Sequence, residues 1–243
     1  MVAKIKQVEI LAIGVHPDDV ELSCSGTLLK HKDLGYQFGI LDLTLGELGT
    51  RGSAEIRTLE AMSAAEFMGA EFRHQLNLGD GFFQNEEKNI LQIIPIIRAA
   101  QPKIVLANAI EDRHPDHARA SRLIADACFL AGLHRIKTEL NGQPQNAYRP
   151  SAIYNYTQDY YLPPDVVVDI SEYMDKKLEA IRCFKSQFYN PNSSEPESAI
   201  SGKEFFDEII AKSRVSGRVI GGRFGESFTV NRPIGVHNLL MLQ

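Results

Sequence analysis

The chain has 243 residues, of which 44% are hydrophobic and 23% charged, with a formal net charge of -5. That length is enough to bury a substantial core within one α/β domain spanning residues 1–243, and the acidic balance excludes the broad basic footprint of a nucleic-acid binder. No apolar run approaches the roughly 20 residues that cross a bilayer, so no membrane partner is expected.

Strand-like apolar runs alternate with helical periodicity along the first half. Residues 8–15 read as a buried strand, and 20–34 as a helix that stops near Gly35. Residues 38–43 form a second strand. Residues 54–68 are amphipathic, with Gly69 as the stop. Residues 72–76 are a short third strand. Residues 86–100 read as a helix, with Pro95 expected to kink it or mark a boundary. Residues 103–107 are a fourth strand, and 115–133 a long helix. Repeated βα units predict an α/β fold, a doubly wound and mainly parallel sheet with helices on both faces.

The pattern then loosens. Residues 137–150 are polar and turn-rich. Residues 152–156 and 166–170 read as further strands. Ser171 suits an N-cap for a helix reaching about Phe188. Residues 189–201 carry Pro191, Pro196 and several Asn and Ser, and read as a mobile loop. A last helix over 203–216 precedes a glycine-rich strand near Phe224. There is no internal repeat and no linker.

Two short segments share one design. Val15-His16-Pro17-Asp18-Asp19 follows the first strand, and Arg113-His114-Pro115-Asp116-His117 follows the fourth. Open α/β sheets bind ligands outside the carboxyl ends of strands, at the switch in strand order. Strands one and four flank that switch, so the two segments should meet across one crevice. Proline is pre-organised for helix entry, which predicts His16 and His114 at caps and Asp19 and His117 in first turns.

Catalytic zinc takes three protein ligands from His and Asp/Glu and leaves one position open. His16, Asp19 and His117 supply such a set, and Asp18 stays free beside it. A carboxylate there can take a proton from the attacking water and return it to a leaving amine. His114 would donate to a developing oxyanion, and Asp116 would hold its imidazole in the right tautomer. The competing reading is plain capping, since acids in first turns complement the helix dipole. It suits either segment alone far better than both together.

These residues carry a family resemblance. His16-Pro17-Asp18-Asp19-Val20-Glu21 and His114-Pro115-Asp116-His117 resemble the paired motifs of the LmbE-like (PIG-L) zinc-dependent N-deacetylases. Within that family, Asp42-Leu43-Thr44, the stretch Gly46-Glu47-Leu48-Gly49-Thr50-Arg51-Gly52, Glu55-Ile56-Arg57, Glu111-Asp112-Arg113, Asp169-Ile170-Ser171 and Ser186-Gln187-Phe188 are similar to the bacillithiol-biosynthesis deacetylases, which act on N-acetylglucosaminyl-malate. The resemblance implies a Rossmann-like fold, zinc on His16, Asp19 and His117 (ferrous iron serves some members), Asp18 as base and His114 as the oxyanion-stabilising or acid residue. It also implies a homo-oligomer, often a hexamer, and a small N-acetylated sugar as substrate. Val15 departs from the Ala of many relatives.

Three arginines are candidates for substrate binding. Arg57 would grip a malate carboxylate or a sugar hydroxyl through two parallel hydrogen bonds, against an ordinary helix ion pair with Glu60 or Glu55. Arg113 divides the same way. Arg51, in the glycine-rich stretch, would meet an anion or remain solvated; the stretch lacks the GK[ST] ending of a P-loop.

His31, His74 and His134 lack partners at ligand spacing. His237 stands in a C-terminal Pro-x-x-x-His. Cys24, Cys128 and Cys183 form no CxxC pair and read as structural thiols of a reducing cytoplasm. Residues 1–6 lack the apolar core of a secretory signal. A non-catalytic sugar- or nucleotide-binding module and a deacetylase of another glucosamine conjugate, chitobiose-type or mycothiol-precursor-like, remain as alternatives.

Overall fold

The computed structural model describes residues 5–241. In chain order the elements are β1 (Ile10–Gly14), α1 (Asp19–Asp33), β2 (Phe38–Asp42), α2 (Ala54–Met68), β3 (Arg73–Gln75), α3 (Glu87–Ala100), β4 (Ile104–Ala107), α4 (Pro115–Ala131), β5 (Glu139–Leu140), β6 (Gln143–Pro144), β7 (Ala152–Tyr156), β8 (Val166–Asp169), α5 (Met174–Arg182), α6 (Phe205–Val219) and β9 (Gly225–Val230). The main sheet has seven strands in the order β3-β2-β1-β4-β7-β9-β8. The first five are mutually parallel, and β9 pairs antiparallel with both β7 and β8.

β1 and β2 are buried at every position because layers of helix cover both faces of the sheet. One core cluster, built from Leu11, Ile13, Leu41 and Val105, packs against Ile93 and Ile97 of α3 and Leu123 and Ile124 of α4. A second, from Ile10, Ala12 and Ile40, packs against Val20, Cys24 and Leu28 of α1 and Met68 of α2. The alternation of inward faces along each strand sends odd and even residues to opposite layers. Strand β1 lies between β2 and β4, where the strand order reverses.

Most boundaries follow local chemistry. Ser53 caps α2 by accepting from Ile56 N, and Gly69 closes it in the left-handed conformation at φ 69°. Pro95 does not end α3, which runs through to Ala100; its carbonyl accepts from Gln145 Nε2 at 2.8 Å, and Ile93, Ile94, Ile96 and Ile97 hold the segment in the core.

Two expectations change. The helix expected over 171–188 is shortened to α5. Ser171 Oγ does not cap it; it accepts from Arg223 N and Phe224 N, pinning the approach to β9 instead. The polar stretch 137–150 holds a small hairpin, β5–β6, turned at Asn141 and Gly142, both with positive φ. Among the described residues, no helix is long and apolar enough to cross a membrane.

Candidate active site

The loops after β1 and β4 meet above the sheet, as the strand order requires. They form one end of a cavity of about 780 Å³ lined by His16, Asp18, Asp19, His114 and His117. The helix entries differ in detail from the sequence expectation. His114 is the N-cap of α4, with Pro115 at its first position. His16, however, lies two residues before the cap of α1. The cap is Asp18, at φ 122° and ψ -23°. A non-glycine residue held there stores roughly 1–3 kcal/mol of backbone strain.

Asp19 is the most heavily bonded group. Its Oδ2 accepts from Val15 N, His16 N and Asn108 Nδ2, each at 2.9 Å. Its Oδ1 accepts from Gln158 Nε2 at 3.0 Å and lies 3.2 Å from His117 Nε2. Burial pushes the Asp19 carboxyl upward, but the charges and hydrogen bonds of His117 and His16 hold it well below the usual carboxylate range.

Two further carboxylates fix the imidazoles. His16 Nε2 meets Asp80 Oδ1 at 2.9 Å, which leaves Nδ1 turned toward Asp19 Oδ2 at 3.8 Å. His117 Nδ1 meets Asp112 Oδ2 at 2.5 Å, which leaves Nε2 facing Asp19. Each histidine thus has one ring nitrogen bonded to an acid and the other turned toward an oxygen of Asp19, and an acid on the far nitrogen is the arrangement found around metal-ligating histidines.

One ring nitrogen from each of His16, His114 and His117 falls within 4.8 Å of the others, and atoms of His16, Asp80 and Asp116 do likewise. Burial lowers the His16 pKa, yet the carboxylates of Asp116 and Asp80 beside it, the latter hydrogen-bonded, raise it to about 10. Burial likewise opposes charge on His117, while Asp19 and Asp112 raise it to about 9. A pocket negative enough to charge buried imidazoles is one that accepts a cation, so the donor set fits a divalent metal ion.

Asp18 lies beside this cluster. Its Oδ2 accepts from Arg57 Nη2 at 3.0 Å. Burial raises its pKa to about 7, against the lowering charge of Arg57 and with a further push from Asp19. His114 is half-buried. Its Nδ1 accepts from Asp116 N at 3.3 Å, which places the ring proton on Nε2. Burial, and then repulsion from His16 and His117, lower its pKa. His114 is therefore a neutral donor.

Several sequence assignments are corrected by these contacts. The Asp116 carboxylate is not hydrogen-bonded to His114. It pairs with Arg119, accepts from Gly81 N at 2.7 Å and faces His16 Nε2 at 3.7 Å. Arg57 pairs with neither Glu55 nor Glu60 and does not present an open fork to the cavity. It is buried, donating to Asp18, to Pro17 O at 2.7 Å and to Gly46 O at 3.1 Å. Gly46 is required here: it has φ 65°, and a Cβ would come 2.1 Å from Arg57 Nη1. Arg51 turns away from the cavity and donates to Phe188 O. Arg113 lines the mouth but is paired with Asp159 at 2.7 Å. His237 is exposed and lies outside the cavity lining.

Four residues escaped the sequence reading of the site: Asp80, Asp112, Asn108 and Gln158. Asn108 and Gln158 lie just beyond the carboxyl ends of β4 and β7, where ligands bind in this class of sheet. That position was the available signal. Asp80 follows β3 after a turn and carries no motif.

Residues 11–128 match the family model described as GlcNAc-PI de-N-acetylase, PIG-L. The diacetylchitobiose deacetylase of Thermococcus kodakarensis is 31% identical over 192 residues, covering 74% of this chain and 70% of that protein. A 4-oxalmesaconate hydratase of Pseudomonas putida is 25% identical, with 74% of each chain covered. A probable N-acetyl-α-D-glucosaminyl L-malate deacetylase of Bacillus anthracis is 28% identical, covering 74% and 81%. The crystal structure of a conserved protein from Thermus thermophilus superposes with a TM-score of 0.84 at 32% identity, covering 95% of this chain and 97% of that one. With its paired His-Pro-Asp segments meeting at the switch point of the sheet, this chain belongs to the PIG-L, or LmbE-like, family of deacetylases.

Proposed function

We propose that the protein is a zinc-dependent hydrolase that removes the N-acetyl group from a glucosamine conjugate, N-acetylglucosaminyl-malate being the favoured substrate. The carrying observation is Asp18, an acid buried beside the His16–Asp19–His117 cluster, with a pKa near 7 and no role in holding that cluster together. An acid that faces the cavity, is held by Arg57 and titrates near neutrality suits a general base.

In this reading His16, Asp19 and His117 would hold the ion, with ferrous iron as the alternative occupant. When bound, the ion supplies Lewis-acid polarisation of the acetyl carbonyl and of the attacking water. Asp18 takes a proton from the attacking water as its oxygen bonds to the acetyl carbonyl carbon, and delivers that proton to the amine nitrogen as the C–N bond breaks. Arg57 keeps the Asp18 carboxylate aimed into the cavity. The Nε2–H of His114 donates to the oxyanion of the tetrahedral intermediate. Asp80 and Asp112 orient the two histidines, and Asp116 supports His16 and the 79–81 turn. Acetate and a free amine leave.

The malate conjugate is supported by the Bacillus anthracis relative; the Thermococcus kodakarensis relative supports a chitobiose-type substrate. The Pseudomonas putida hydratase supports a second reading, addition of water to a carbon–carbon double bond in the same pocket. The deciding experiment is acetate release from N-acetylglucosaminyl-malate, diacetylchitobiose and methyl N-acetylglucosaminide, before and after chelation. Release that stops on chelation and returns with zinc is the expected result. No acetate from any of them, with hydration of an unsaturated dicarboxylate, overturns the reading.

A further inference from the structure

One face of α6 walls the cavity and has no part in the chemistry above. Phe205, Glu208, Ile209, Lys212, Ser213 and Ser216 line the space, and their helical spacing puts them on one side of α6. Phe205 and Ile209 offer apolar surface to the C–H face of a sugar ring.

Beside the histidines, four lysine and arginine side chains line this cavity: Arg57, Arg113, Lys177 and Lys212. Three are neutralised. Arg57 is held by Asp18 at 3.0 Å, Arg113 by Asp159 at 2.7 Å, and buried Lys177 by Glu226 at 2.6 Å. Lys212 makes no ion pair and no hydrogen bond among the described residues, and its side chain is exposed. Glu208, one turn earlier, is the usual helical partner for such a lysine, but the two are not joined. Loss of hydration in the cavity wall lowers the Lys212 pKa to about 8, which leaves the ammonium charged at neutral pH, and Asp159, the carboxylate that most opposes the shift, is already bound to Arg113.

We propose that Lys212 binds an anionic group of the substrate, a carboxylate on the aglycone of an N-acetylglucosamine conjugate, and so sets a preference for acidic over neutral aglycones. The inference rests on the deacetylase reading of this cavity. A free ammonium on the wall of a pocket gains a charge-assisted hydrogen bond from a carboxylate. A neutral aglycone that covers it removes its water and offers nothing in return.

The test compares wild type, Lys212→Met and Lys212→Arg. The first readout is the ratio of kcat/KM for N-acetylglucosaminyl-malate over methyl N-acetylglucosaminide. Lys212→Met should lower that ratio about tenfold, chiefly through KM, the size of one hydrogen bond to a charged group; Lys212→Arg should restore most of it. An unchanged ratio overturns the proposal. The second readout is calorimetric binding of L-malate, which needs no turnover. If wild type releases no acetate yet Lys212→Met weakens malate binding, the deacetylase reading fails and the anion site stands. If malate binds wild type and Lys212→Met equally, or binds neither, the anion site is refuted whatever the activity.

Discussion

Arg57 Nη2 donates to Asp18 Oδ2 at 3.0 Å across two buried side chains, and the same nitrogen donates to Pro17 O at 2.7 Å. One guanidinium thus ties the positive-φ residue Asp18 to the second helix of the fold. The pair sets both the direction and the protonation of the acid. Burial alone would raise the Asp18 pKa further; the Arg57 charge holds it to about 7. Replacing Arg57 with Met removes a lowering influence, so the folded pKa rises. The acidic limb of kcat/KM against pH should move to higher pH, with activity at neutral pH falling. An unmoved limb would separate Arg57 from the base.

Asp18→Asn keeps the shape of the side chain and removes its basicity. General base catalysis contributes about 10²–10⁴-fold, and turnover should fall by that much. The bound metal, measured by elemental analysis, should remain at the wild-type level. Loss of metal together with activity would make Asp18 a ligand instead.

His114→Ala and His117→Ala should separate two roles that share one helix turn. His117 faces Asp19 and is buried, whereas His114 has only Nε2 free to donate. Removing an oxyanion donor costs about 10²–10³ in kcat, so His114→Ala should lose that much while holding metal. His117→Ala should lose the metal itself. Equal metal loss in both variants would bring His114 into the ligand set, which its nitrogen within 4.8 Å of His16 and His117 makes a fair contest.

Asp112→Asn tests the orienting acids. His117 Nδ1 meets Asp112 at 2.5 Å, and loss of such a partner lowers metal affinity about 10–100-fold. Competition against a chelator of known affinity measures it. Affinity equal to wild type would leave Asp112 with a packing role only.

Arg73 anchors the site from beneath. Fully buried, it donates to Asp42 at 2.7 and 2.8 Å and to Glu21 at 2.6 Å, joining β2, β3 and the first turns of α1. Arg73→Met leaves two buried carboxylates without their cation, a change that costs about 3–5 kcal/mol. Denaturant unfolding should show that loss. A change under about 1 kcal/mol, the scale of a surface pair, would mean that water reaches the two acids.

The period of the apolar residues and the capping chemistry already determined the parallel half of the fold, because strands and helices there are dictated by neighbours in the chain. The carboxyl end of α2 is legible in Gly69 alone. So is the meeting of two His-Pro-Asp segments, since the switch in strand order follows from repeated βα units. The start of α5 was not legible: Ser171 has the chemistry of a cap, but Arg223 N and Phe224 N, some fifty residues away, take its hydroxyl. The same holds for the arginines. Arg51 and Arg57 look free in a glycine-rich loop and a first helical turn, and the folded chain supplies Phe188 O, Pro17 O, Gly46 O and Asp18 to them. Asp80 and Asp112 gain their meaning only from the imidazoles they touch. Backbone periodicity is a local property; the partner of a buried charge is chosen by whatever the tertiary fold brings within hydrogen-bond reach, because burial makes leaving it unpaired too costly.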